Sequence, residues 1–382
     1  MSLRVLHTVA SVGDSYGGVA TALAALGAVE QHLGHDPSLV TIDRPEQGTT
    51  LLSTMTYFDV ALIRPGLVAG RLHGGLRLTD ALRRLVPQHD LIVLHGVFDL
   101  TSVVGGRTAR RFGVPYLLWP HGSLDPYDLA KHRWAKSRLS SVWREHLSAA
   151  GSVVCTTQRE AARLHTFGAT PRTAVLPLPV AAPTHRPDRA AVRAELGLGP
   201  GERLVVFCGR IDGKKGLPLL LDAFADAAGP GDRLVVAGSG DPALTRALRA
   251  RADGRVSFPG WVDAAGRARL LAAADVFALV SDNENFSVAT AEALHAGVPA
   301  LLSDQVYLAD ELLRHGAAVV CGRDREQAAE SLRALLADGP GRRAIGAAGA
   351  RWAAAALDVA AVGARYADLV RTVMRGCPVS VY

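Results

Sequence analysis

The sequence predicts an α/β protein built from two doubly wound parallel sheets with helices on both faces. Short runs rich in Val, Ile and Leu alternate with longer stretches of helical periodicity, which is typical of parallel sheets joined by right-handed crossovers. The runs LIVL at 91–94 and LVVF at 204–207 are apolar at every position, as expected for strands buried on both faces. A proline-rich stretch at 177–187 separates the two halves.

The first half contains six predicted strands and four predicted helices. The strands cover 4–9, 38–42, 91–95, 114–119, 152–156 and 173–176, and the helices cover 19–33, 101–112, 129–149 and 158–167. The strand segments carry β-branched residues and Leu, whereas the helical segments repeat apolar residues every three or four positions. We expect residues 1–180 to form one domain.

The proline-rich stretch predicts a linker, because Pro177, Pro179, Pro183 and Pro187 exclude a helix or strand interior. After Asp188, a predicted helix cap, the alternation resumes. Predicted strands cover 204–208, 234–237, 256–258, 276–280, 300–303 and 317–321, and predicted helices cover 218–228, 242–252, 263–273, 288–296 and 325–337. We expect a second domain at 181–358 and a C-terminal helix within 359–382 that packs back on the first. Ligands should bind in a cleft between facing domains, outside the carboxyl ends of the strands.

The composition is that of a protein with large buried cores. Of 382 residues, 49% are hydrophobic and 20% are charged, which excludes a disordered or collagen-like chain. No apolar run approaches the ~18 residues of a membrane span, and the N-terminus lacks a signal-peptide layout. The four cysteines are too far apart for a zinc-type cluster. We expect a cytoplasmic protein without a bound metal.

Most of the formal net charge of +6 comes from one segment. Residues 131–144 hold five basic side chains and no acidic one, interleaved with Trp134 and Trp143. If this segment forms a basic amphipathic helix, that helix can lie on an anionic membrane surface. The commoner alternative is a half-solvated helix that covers the sheet of the first domain. The charges balance elsewhere, so we expect no nucleic-acid partner.

Two glycine-containing motifs follow predicted strands. Gly17 and Gly18 come after the strand 4–9, where glycine lets the backbone approach a ligand before a helix opens; an ordinary tight turn is the alternative. GRIDGKKG at 209–216 places Arg210 and Lys215 beside a helix start. Two fixed cations next to free backbone N–H groups suit a diphosphate, whereas solvated surface charge is the alternative.

The most specific motif is SDNENFSVATAEALHAGVP at 281–299. Ser287 is a predicted helix N-cap, Glu284 precedes it in the loop, and Glu292 lies inside the helix. The helix N-terminus can bind phosphate oxygens, and the two carboxylates can accept hydrogen bonds from sugar hydroxyls. This combination favours a sugar-nucleotide site over a capped helix whose Glu292 faces solvent.

These motifs, with GGVATAL at 17–23 and PHGSLDPY at 120–127, resemble the retaining glycosyltransferases of family four, which have the GT-B fold. The motifs follow the family's order across most of the chain. The resemblance implies an acceptor-binding first domain and a donor-binding second domain. It implies transfer, with retention, from a nucleoside-diphosphate sugar, which we expect to be a UDP-sugar. The expected acceptor is a hydroxyl of a bacterial polysaccharide precursor or a small-molecule natural product.

The resemblance also implies a role for each matching residue. The residues implied for donor binding are Gly17, Gly18, Arg210, Lys215, Val262, Phe286, Ser287 and Glu292, and those implied for catalysis are His121 and Glu284. Arg210 and Lys215 would hold the diphosphate, and Glu292 the ribose. Glu284 would contact the transferred sugar, and His121 would line the reaction centre.

The remaining implied contacts are with the phosphates, the base and the acceptor. Backbone groups at Phe286 and Ser287 would meet the phosphates, Val262 would meet the base, and Gly17 and Gly18 would lie near the phosphates and the acceptor. Two segments depart from the family's pattern. Residues 285–287 read Asn-Phe-Ser in place of Gly-Phe-Gly, and residues 177–179 read Pro-Leu-Pro in place of Pro-Asn-Gly.

The chemistry implied for this site needs cations at the leaving group. Negative charge grows on the departing diphosphate, and Arg210, Lys215 and the helix N-terminus would stabilise it. The chain has no Asp-x-Asp motif, so we expect an enzyme that needs no metal or other cofactor. His121 is expected to orient the donor sugar, and His95 is expected to be a structural histidine.

Two alternatives belong to other classes. VVAGSGDPA at 235–243 matches the G-x-G-x-x-A fingerprint, with Asp263 about twenty residues on, which would make the protein an NAD(P)-dependent oxidoreductase. This motif follows the second strand of its domain, where a dinucleotide site normally follows the first, and it leaves Arg210 and Glu284 unexplained. The non-enzyme alternative is a protein that binds polyanions or membrane surfaces through 131–144.

Overall fold

The computed structural model describes residues 2–12, 17–42, 55–56, 58–63, 70–130, 140–183 and 186–376. These residues form two compact units. The first unit comprises the described residues up to Pro179 together with the helix Val359–Met374, and the second comprises Val180–Asp358. The division after Pro179 falls within the proline-rich stretch, where neither strand nor helix can continue.

A parallel sheet with seven strands among the described residues forms the centre of the first unit. Its strands are β1 (Arg4–Val9), β2 (Asp36–Ile42), β3 (Asp59–Ile63), β4 (Leu91–His95), β5 (Tyr116–Trp119), β6 (Ser152–Cys155) and β7 (Thr173–Val175), in the spatial order β3-β2-β1-β4-β5-β6-β7. Its helices are α1 (Gly17–His32), α2 (Gly70–Leu85), α3 (Leu100–Phe112), α4 (Pro126–Ala130), α5 (Ser140–Ser148), α6 (Gln158–Thr166) and α15 (Val359–Met374). The strand order reverses between β1 and β4, the position where doubly wound folds bind ligands.

Alternate residues of the buried strands supply two cores, one on each face of this sheet. Val5 of β1 and Val93 of β4 lie in one core, whereas their neighbours Leu6 and Leu94 lie in the other. Helix α15 adds five side chains to the core that contains Val5, namely Val362, Tyr366, Leu369, Val370 and Val373. The first unit is therefore completed by a helix that follows the second unit in sequence.

The second unit repeats the same architecture with six strands. They are β8 (Leu204–Cys208), β9 (Arg233–Ala237), β10 (Val256–Gly260), β11 (Val276–Leu279), β12 (Ala300–Ser303) and β13 (Ala318–Cys321), all parallel, in the order β10-β9-β8-β11-β12-β13. The helices are α7 (Arg189–Glu195), α8 (Leu217–Ala227), α9 (Pro242–Arg251), α10 (Ala264–Ala273), α11 (Val288–His295), α12 (Ala309–Arg314), α13 (Arg325–Ala337) and α14 (Gly339–Ala356). Here the order reverses between β8 and β11.

One glycine fixes the loop after β8 against the segment that follows β11. Gly216 has a φ of +65°, and a Cβ atom there would lie 1.9 Å from the carbonyl oxygen of Val280. Both the backbone conformation and the close approach therefore require glycine. Nearby, the Asp282 N–H donates to the Lys214 carbonyl at 2.7 Å. These contacts hold the turn Gly213–Lys215 beside the start of the 281–299 motif.

The two doubly wound units predicted from the sequence are confirmed, and four elements were not predicted. These are β3, α2, α12 and α14. The side chains of β3 are exposed or half-buried along the whole strand, and α2 contains three glycines, so neither shows a clear apolar period. The helix predicted at 129–149 is represented by α4 and α5, and residues 131–139 lie outside the described residues.

One helical segment of the described chain, Gly339–Met374, is long and apolar enough to span a membrane by length and composition alone. The sequence contains no continuous apolar run of that length. The difference arises because this segment is rich in alanine, which raises its mean hydropathy without forming such a run. Core helices of soluble proteins share this length and composition, and the second part of the segment, α15, is packed in the core of the first unit.

We predict that Gly216→Ala destabilises the protein by at least about 2 kcal/mol, since the left-handed backbone and the clash with Val280 add together. Gly213→Ala in the same turn is the matched control, because a Cβ there meets no atom within 4 Å; its effect should stay within about 0.5 kcal/mol. Chemical unfolding monitored by circular dichroism measures both. Equal stability of the two variants would contradict the close approach.

Candidate functional site

The site residues expected from the sequence lie where parallel strands end. In the second unit Arg210 follows β8, Val262 follows β10 and Glu284 follows β11. In the first unit Gly17 follows β1 and His121 follows β5. The carboxyl ends of parallel strands share one edge of a sheet, so each unit carries its own group of site residues at that edge.

Lys215 and Glu284 form an ion pair in the second unit. Lys215 Nζ contacts Glu284 Oε2, and each side chain is only 15% exposed. The backbone of Glu284 is held as well, since its N–H donates to the Gln305 carbonyl at 3.2 Å and its carbonyl accepts from Tyr307 N–H at 2.8 Å. The residues assigned separately to a diphosphate and to a sugar are therefore in direct contact. A ligand whose phosphate and sugar are joined by one bond suits such a pair.

Arg210 lies at the start of the same loop, in contact with Asp212. Its Nε is 3.2 Å from Asp212 Oδ2, and the guanidinium is half-exposed. Asp212 also accepts a hydrogen bond from the Lys214 N–H at 2.9 Å, which caps the turn Gly213–Lys215. One carboxylate therefore orients Arg210 and starts the turn that carries Lys215.

The N-terminus of α11 begins at a strained residue. Ser287 has a φ of +62°, and its Oγ accepts hydrogen bonds from Thr290 N–H at 3.2 Å and from Thr290 Oγ1 at 2.8 Å. The predicted N-cap is confirmed. Phe286 beside it is buried, at 3% exposure, and anchors the loop. A helix start has four N–H groups without intrahelical partners, and it attracts anions through the helix dipole.

Glu292 is clamped by Arg267, a residue that the sequence analysis did not select. Arg267 donates from Nε and from a terminal nitrogen to the two oxygens of Glu292, both at 3.0 Å. Burial is the largest single effect and acts to lower the pKa of Arg267, but the hydrogen bonds to Glu292 together with the negative charges of Glu292 and Asp263 raise that pKa overall. Burial and the nearby Glu292 also raise the pKa of Cys208 to about 12. Glu292 thus lies against the end of β8, rather than facing solvent on an amphipathic helix.

The loop after β10 presents one apolar surface side chain. Trp261 is 58% exposed, and Val262 beside it is half-buried. Asp263 caps α10 by accepting a hydrogen bond from the Gly266 N–H at 2.7 Å. Val262 and the helix that carries Arg267 are therefore neighbours in sequence and structure.

His121 is the central candidate residue of the first unit. Its φ is +51°, and it shares this region with Ser287; among the described residues these two are the only positive-φ positions that are not glycine. Such a conformation costs about 1–2 kcal/mol for a residue with a Cβ, and strain of this kind clusters at functional sites. Both positions were selected from the sequence for other reasons.

His121 ends a chain of buried hydrogen bonds. Its Nε2 is 2.9 Å from His95 Nδ1, and His95 Nε2 is 3.0 Å from His7 Nδ1. His7 Nε2 is 2.8 Å from Glu30 Oε2, and the Tyr366 hydroxyl donates to Glu30 Oε1. Both ring nitrogens of His95 are bonded, so it is a satisfied structural histidine as expected, but its partner is the candidate residue itself.

Burial determines the protonation states of His121 and His95. It lowers the pKa of His121 to about 4. Burial also holds the pKa of His95 well below its usual range, with a smaller effect of the neighbouring histidines. Both rings are therefore neutral near pH 7.

A buried carboxylate holds the loop that carries His121. Glu160, 1% exposed, accepts from the Gly122 N–H at 2.6 Å and from the Thr156 N–H at 2.7 Å. It thereby joins the turn after β5 to the end of β6. No local sequence pattern marks Glu160, because its role depends on a contact with Gly122, 38 residues away.

Gly17 and Gly18 form the first residues of α1, and residues 13–16 before them lie outside the described residues. Gly18 is exposed, and a Cβ there would meet no atom within 4 Å. Packing among the described residues does not require glycine at this position, in contrast to Gly216.

The geometry argues against a dinucleotide site at Gly238–Ala243. Asp241 caps α9 and accepts from the N–H groups of Ala243 and Leu244 at 2.8 and 3.1 Å, so it occupies donors that a pyrophosphate would need. A Cβ at Gly240 would lie 2.0 Å from the Ile211 carbonyl oxygen, which explains this glycine by packing. The fingerprint's acidic residue, Asp263, is itself a helix cap.

The basic segment is described only in part. Residues 131–139, with most of its cations, lie outside the described residues, so the predicted contact with anionic membrane through 131–144 stays a prediction. Trp143, within the described part, packs edge-on against Phe98 with ring centroids 5.3 Å apart. Among the residues that the structure describes, no group of three or more His, Cys, Asp or Glu is arranged to hold a metal ion.

Family models match both halves of the chain. Residues 188–352 match the family described as glycosyl transferases group 1, and residues 17–179 match the glycosyl transferase 4-like domain.

A similar curated protein is the GDP-mannose-dependent alpha-(1-6)-phosphatidylinositol dimannoside mannosyltransferase of Mycobacterium tuberculosis. It is 29% identical over 87% of this chain and 88% of its own length. The D-inositol 3-phosphate glycosyltransferase of Nocardia farcinica is 32% identical over 72% of this chain and 66% of its own length.

Solved structures share the fold at low sequence identity. The Anabaena Alr3699/HepE complex with UDP and glucose has a TM-score of 0.81 and 20% identity, covering 97% of this chain and 100% of that one. Sucrose-phosphate synthase from Thermosynechococcus elongatus has a TM-score of 0.79 and 20% identity, with 97% and 99% coverage.

We predict that acid destabilises the first unit through its buried histidines, and His146 isolates the effect. Burial, with Arg110 and Arg107 nearby, lowers the pKa of His146 from 6.5 to about 4. Its contribution to stability is therefore fully present above pH 6.5 and is lost as the pH falls towards 4. His146→Gln should lose about 1–2 kcal/mol less than the unmodified protein between pH 7 and pH 5.

Urea unfolding at the two pH values measures this difference. His165→Gln, at an exposed position, is the control and should lose as much stability as the unmodified protein. An equal loss of stability in all three proteins would contradict the lowered pKa of His146.

Proposed function

Because this chain belongs to the group 1 glycosyltransferases, with a glycosyl transferase 4-like domain in its first unit, we propose that it transfers a sugar with retention of anomeric configuration. The donor is a nucleoside-diphosphate sugar and the acceptor is a hydroxyl. The observation that carries this proposal is the contact between Lys215 and Glu284 beside the N-terminus of α11.

The proposed donor contacts follow from the chemistry of these groups. A diphosphate attracts Lys215 and Arg210, and the N-terminus of α11 adds its positive end. When Lys215 bonds to phosphate, Glu284 is released and accepts hydrogen bonds from the sugar hydroxyls. Glu292, held by both of its oxygens to Arg267, is oriented to accept from the ribose. Val262 lies beside the nucleotide base of the donor.

The proposed transfer step concentrates negative charge on the leaving group. The bond between the anomeric carbon and the diphosphate oxygen breaks, and its electron pair stays with the diphosphate. The acceptor oxygen forms the new bond, and its proton passes to an oxygen of the departing diphosphate. Lys215 and Arg210 stabilise the departing charge without a metal, and His121 orients the sugar. Front-side attack and a two-step covalent route both give retention, and the proposal covers either.

Two donor series are candidates. The sequence predicts a UDP-sugar, and the Anabaena structures with UDP and with UDP-glucose share the fold. GDP-mannose is the second candidate, because the Mycobacterium relative is named for it.

We propose a hydroxyl of a polysaccharide precursor or a small-molecule natural product as acceptor. Inositol phosphate is the first compound to assay, since the Nocardia relative is named for it. We place the reaction in the cytoplasm.

We predict that UDP or GDP, but neither NAD nor NADP, raises the melting temperature of the protein. A ligand at 100 times its dissociation constant stabilises a fold by about 2.7 kcal/mol, and EDTA should not change the effect. A thermal-shift series with each compound, with and without EDTA, makes the measurement. Stabilisation by NAD alone would overturn the proposal, and a shift abolished by EDTA would overturn metal independence.

We predict that three substitutions separate binding from chemistry. Glu292→Ala should weaken UDP or GDP binding about tenfold or more, because the ribose loses its acceptor. Glu284→Ala and His121→Ala should lower kcat by about a hundredfold and change nucleotide affinity little. Calorimetry with the nucleotide and release of nucleoside diphosphate during transfer measure the two effects.

The control for these substitutions is Glu330→Ala, which removes an exposed carboxylate of α13 in the second unit. Its affinity and kcat should match those of the unmodified protein. Unchanged kinetics in Glu284→Ala, His121→Ala and Glu292→Ala would refute the site assignment.

A further inference from the structure

Four buried residues connect His121 to the last helix of the first unit. Tyr366 of α15, Glu30 of α1, His7 of β1 and His95 of β4 are joined in that order by hydrogen bonds, and His95 bonds to His121. We call these four residues the relay. The bond between Tyr366 and Glu30 alone joins residues 336 positions apart in sequence, so only the folded first unit assembles the relay.

The relay is sealed from water along its length. His7, Glu30 and Tyr366 have no exposed surface, and His95 is 3% exposed, whereas His121 is half-buried at the open end. The three imidazole rings are nearly parallel, with centroids 5.3 and 5.2 Å apart. Burying a carboxylate and two imidazoles is costly unless each is hydrogen-bonded. Replacing buried charged groups by apolar residues of similar volume often leaves a protein equally stable or more stable. The stability of the fold alone therefore does not account for the relay.

The hydrogen bonds have one consistent direction. Burial and the adjacent Glu30 raise the pKa of Tyr366 well above its ordinary value, so the phenol stays protonated and donates to Glu30. We assign Glu30 as a carboxylate, which only accepts, and His7 as a neutral ring that donates to it from Nε2. His7 Nδ1 must then accept from His95 Nε2–H, and His95 Nδ1 must accept from His121 Nε2–H.

We propose that the relay is a positioning device that holds His121 as the tautomer protonated on Nε2, which leaves Nδ1 as a hydrogen-bond acceptor for a hydroxyl of the substrate. His121 Nδ1 makes no hydrogen bond within the part of the chain that the structure describes. The hydrogen-bond partner of one histidine nitrogen sets which of the two ring nitrogens carries the proton, and here the direction is set by Glu30, the third residue from His121 along the hydrogen-bonded series. The inference rests on the proposed function for the step that His121 serves.

The tautomer of His121 tests the relay without any substrate. Long-range ¹H–¹⁵N spectra of protein labelled at histidine report which ring nitrogen is protonated, and His121→Gln assigns the signals. We expect a protonated Nε2 and an unprotonated Nδ1 at pH 7. A proton on Nδ1 in the unmodified protein would overturn the proposal, whatever the activity of the enzyme.

The triple variant His7→Leu/Glu30→Leu/Tyr366→Phe cuts the relay and leaves no buried charge or hydroxyl unpaired. His95 Nε2 then has no acceptor, so its proton moves to Nδ1 and His121 becomes protonated on Nδ1. We expect kcat to fall about tenfold or more, while the KM for the donor and the affinity for UDP or GDP stay within about twofold. If the triple variant does not fold, the double variant His7→Leu/Glu30→Gln replaces it, because it buries no charge and keeps an acceptor for the Tyr366 hydroxyl.

The matched control is His146→Leu, which removes another buried histidine of the first unit, one bonded to Ser102 at 3.0 Å and not to the relay. It should lower the melting temperature and leave the His121 tautomer and kcat unchanged. An unchanged tautomer in the triple variant, or a changed tautomer with unchanged kcat, would overturn the proposal. Failure of UDP-sugars and GDP-mannose to react would count against the proposed function, while the spectra still decide the relay.

Discussion

A parallel strand that is buried on both faces can offer polar groups to a ligand only at its ends. This constraint places the chemistry of both units. In the first unit β1, β4 and β5 end at or before Gly17, His95 and His121, and in the second β8 and β11 end before Arg210 and Glu284. Apart from His7, Thr8 and His95, the buried side chains of these five strands are apolar, so the sheet is a rigid support and the loops after it carry the groups that meet a ligand.

The acidic residues of the site in the second unit are each paired with a basic residue. Two carboxylates near a diphosphate would repel it, yet each site acid has its own cation. Asp212 pairs with Arg210, Glu284 with Lys215, and Glu292 with Arg267. The local charge is therefore balanced before a ligand arrives, and the exchange of one partner for another costs less than the exposure of a lone buried charge.

The sequence predicted the features that depend on local patterns. Apolar runs predicted the buried strands, and Ser287 just ahead of the helical pattern at 288–296 predicted the cap of α11. Contacts between distant residues gave no such signal. Arg267 reaches Glu292 across 25 positions, and Tyr366 reaches Glu30 across 336, and neither pairing leaves a trace in a single sequence. The alternation of side chains along β1 does predict one part of the relay, because it places His7 on the same sheet face as Val5. The edge strand β3 was missed because its exposed residues lack a burial pattern.

Helix α15 has a consequence for synthesis of the protein on the ribosome. The core around Val5 and Val93 is incomplete without Val362, Tyr366 and their neighbours, yet the whole of the second unit is translated before that helix emerges. Until some 180 further residues have been added, this sheet face is covered only in part, by side chains of α1 such as Leu26 and Val29. Domains usually complete in the order of their synthesis; here the second unit can finish first, and the nascent first unit has to be kept from aggregating until α15 is released.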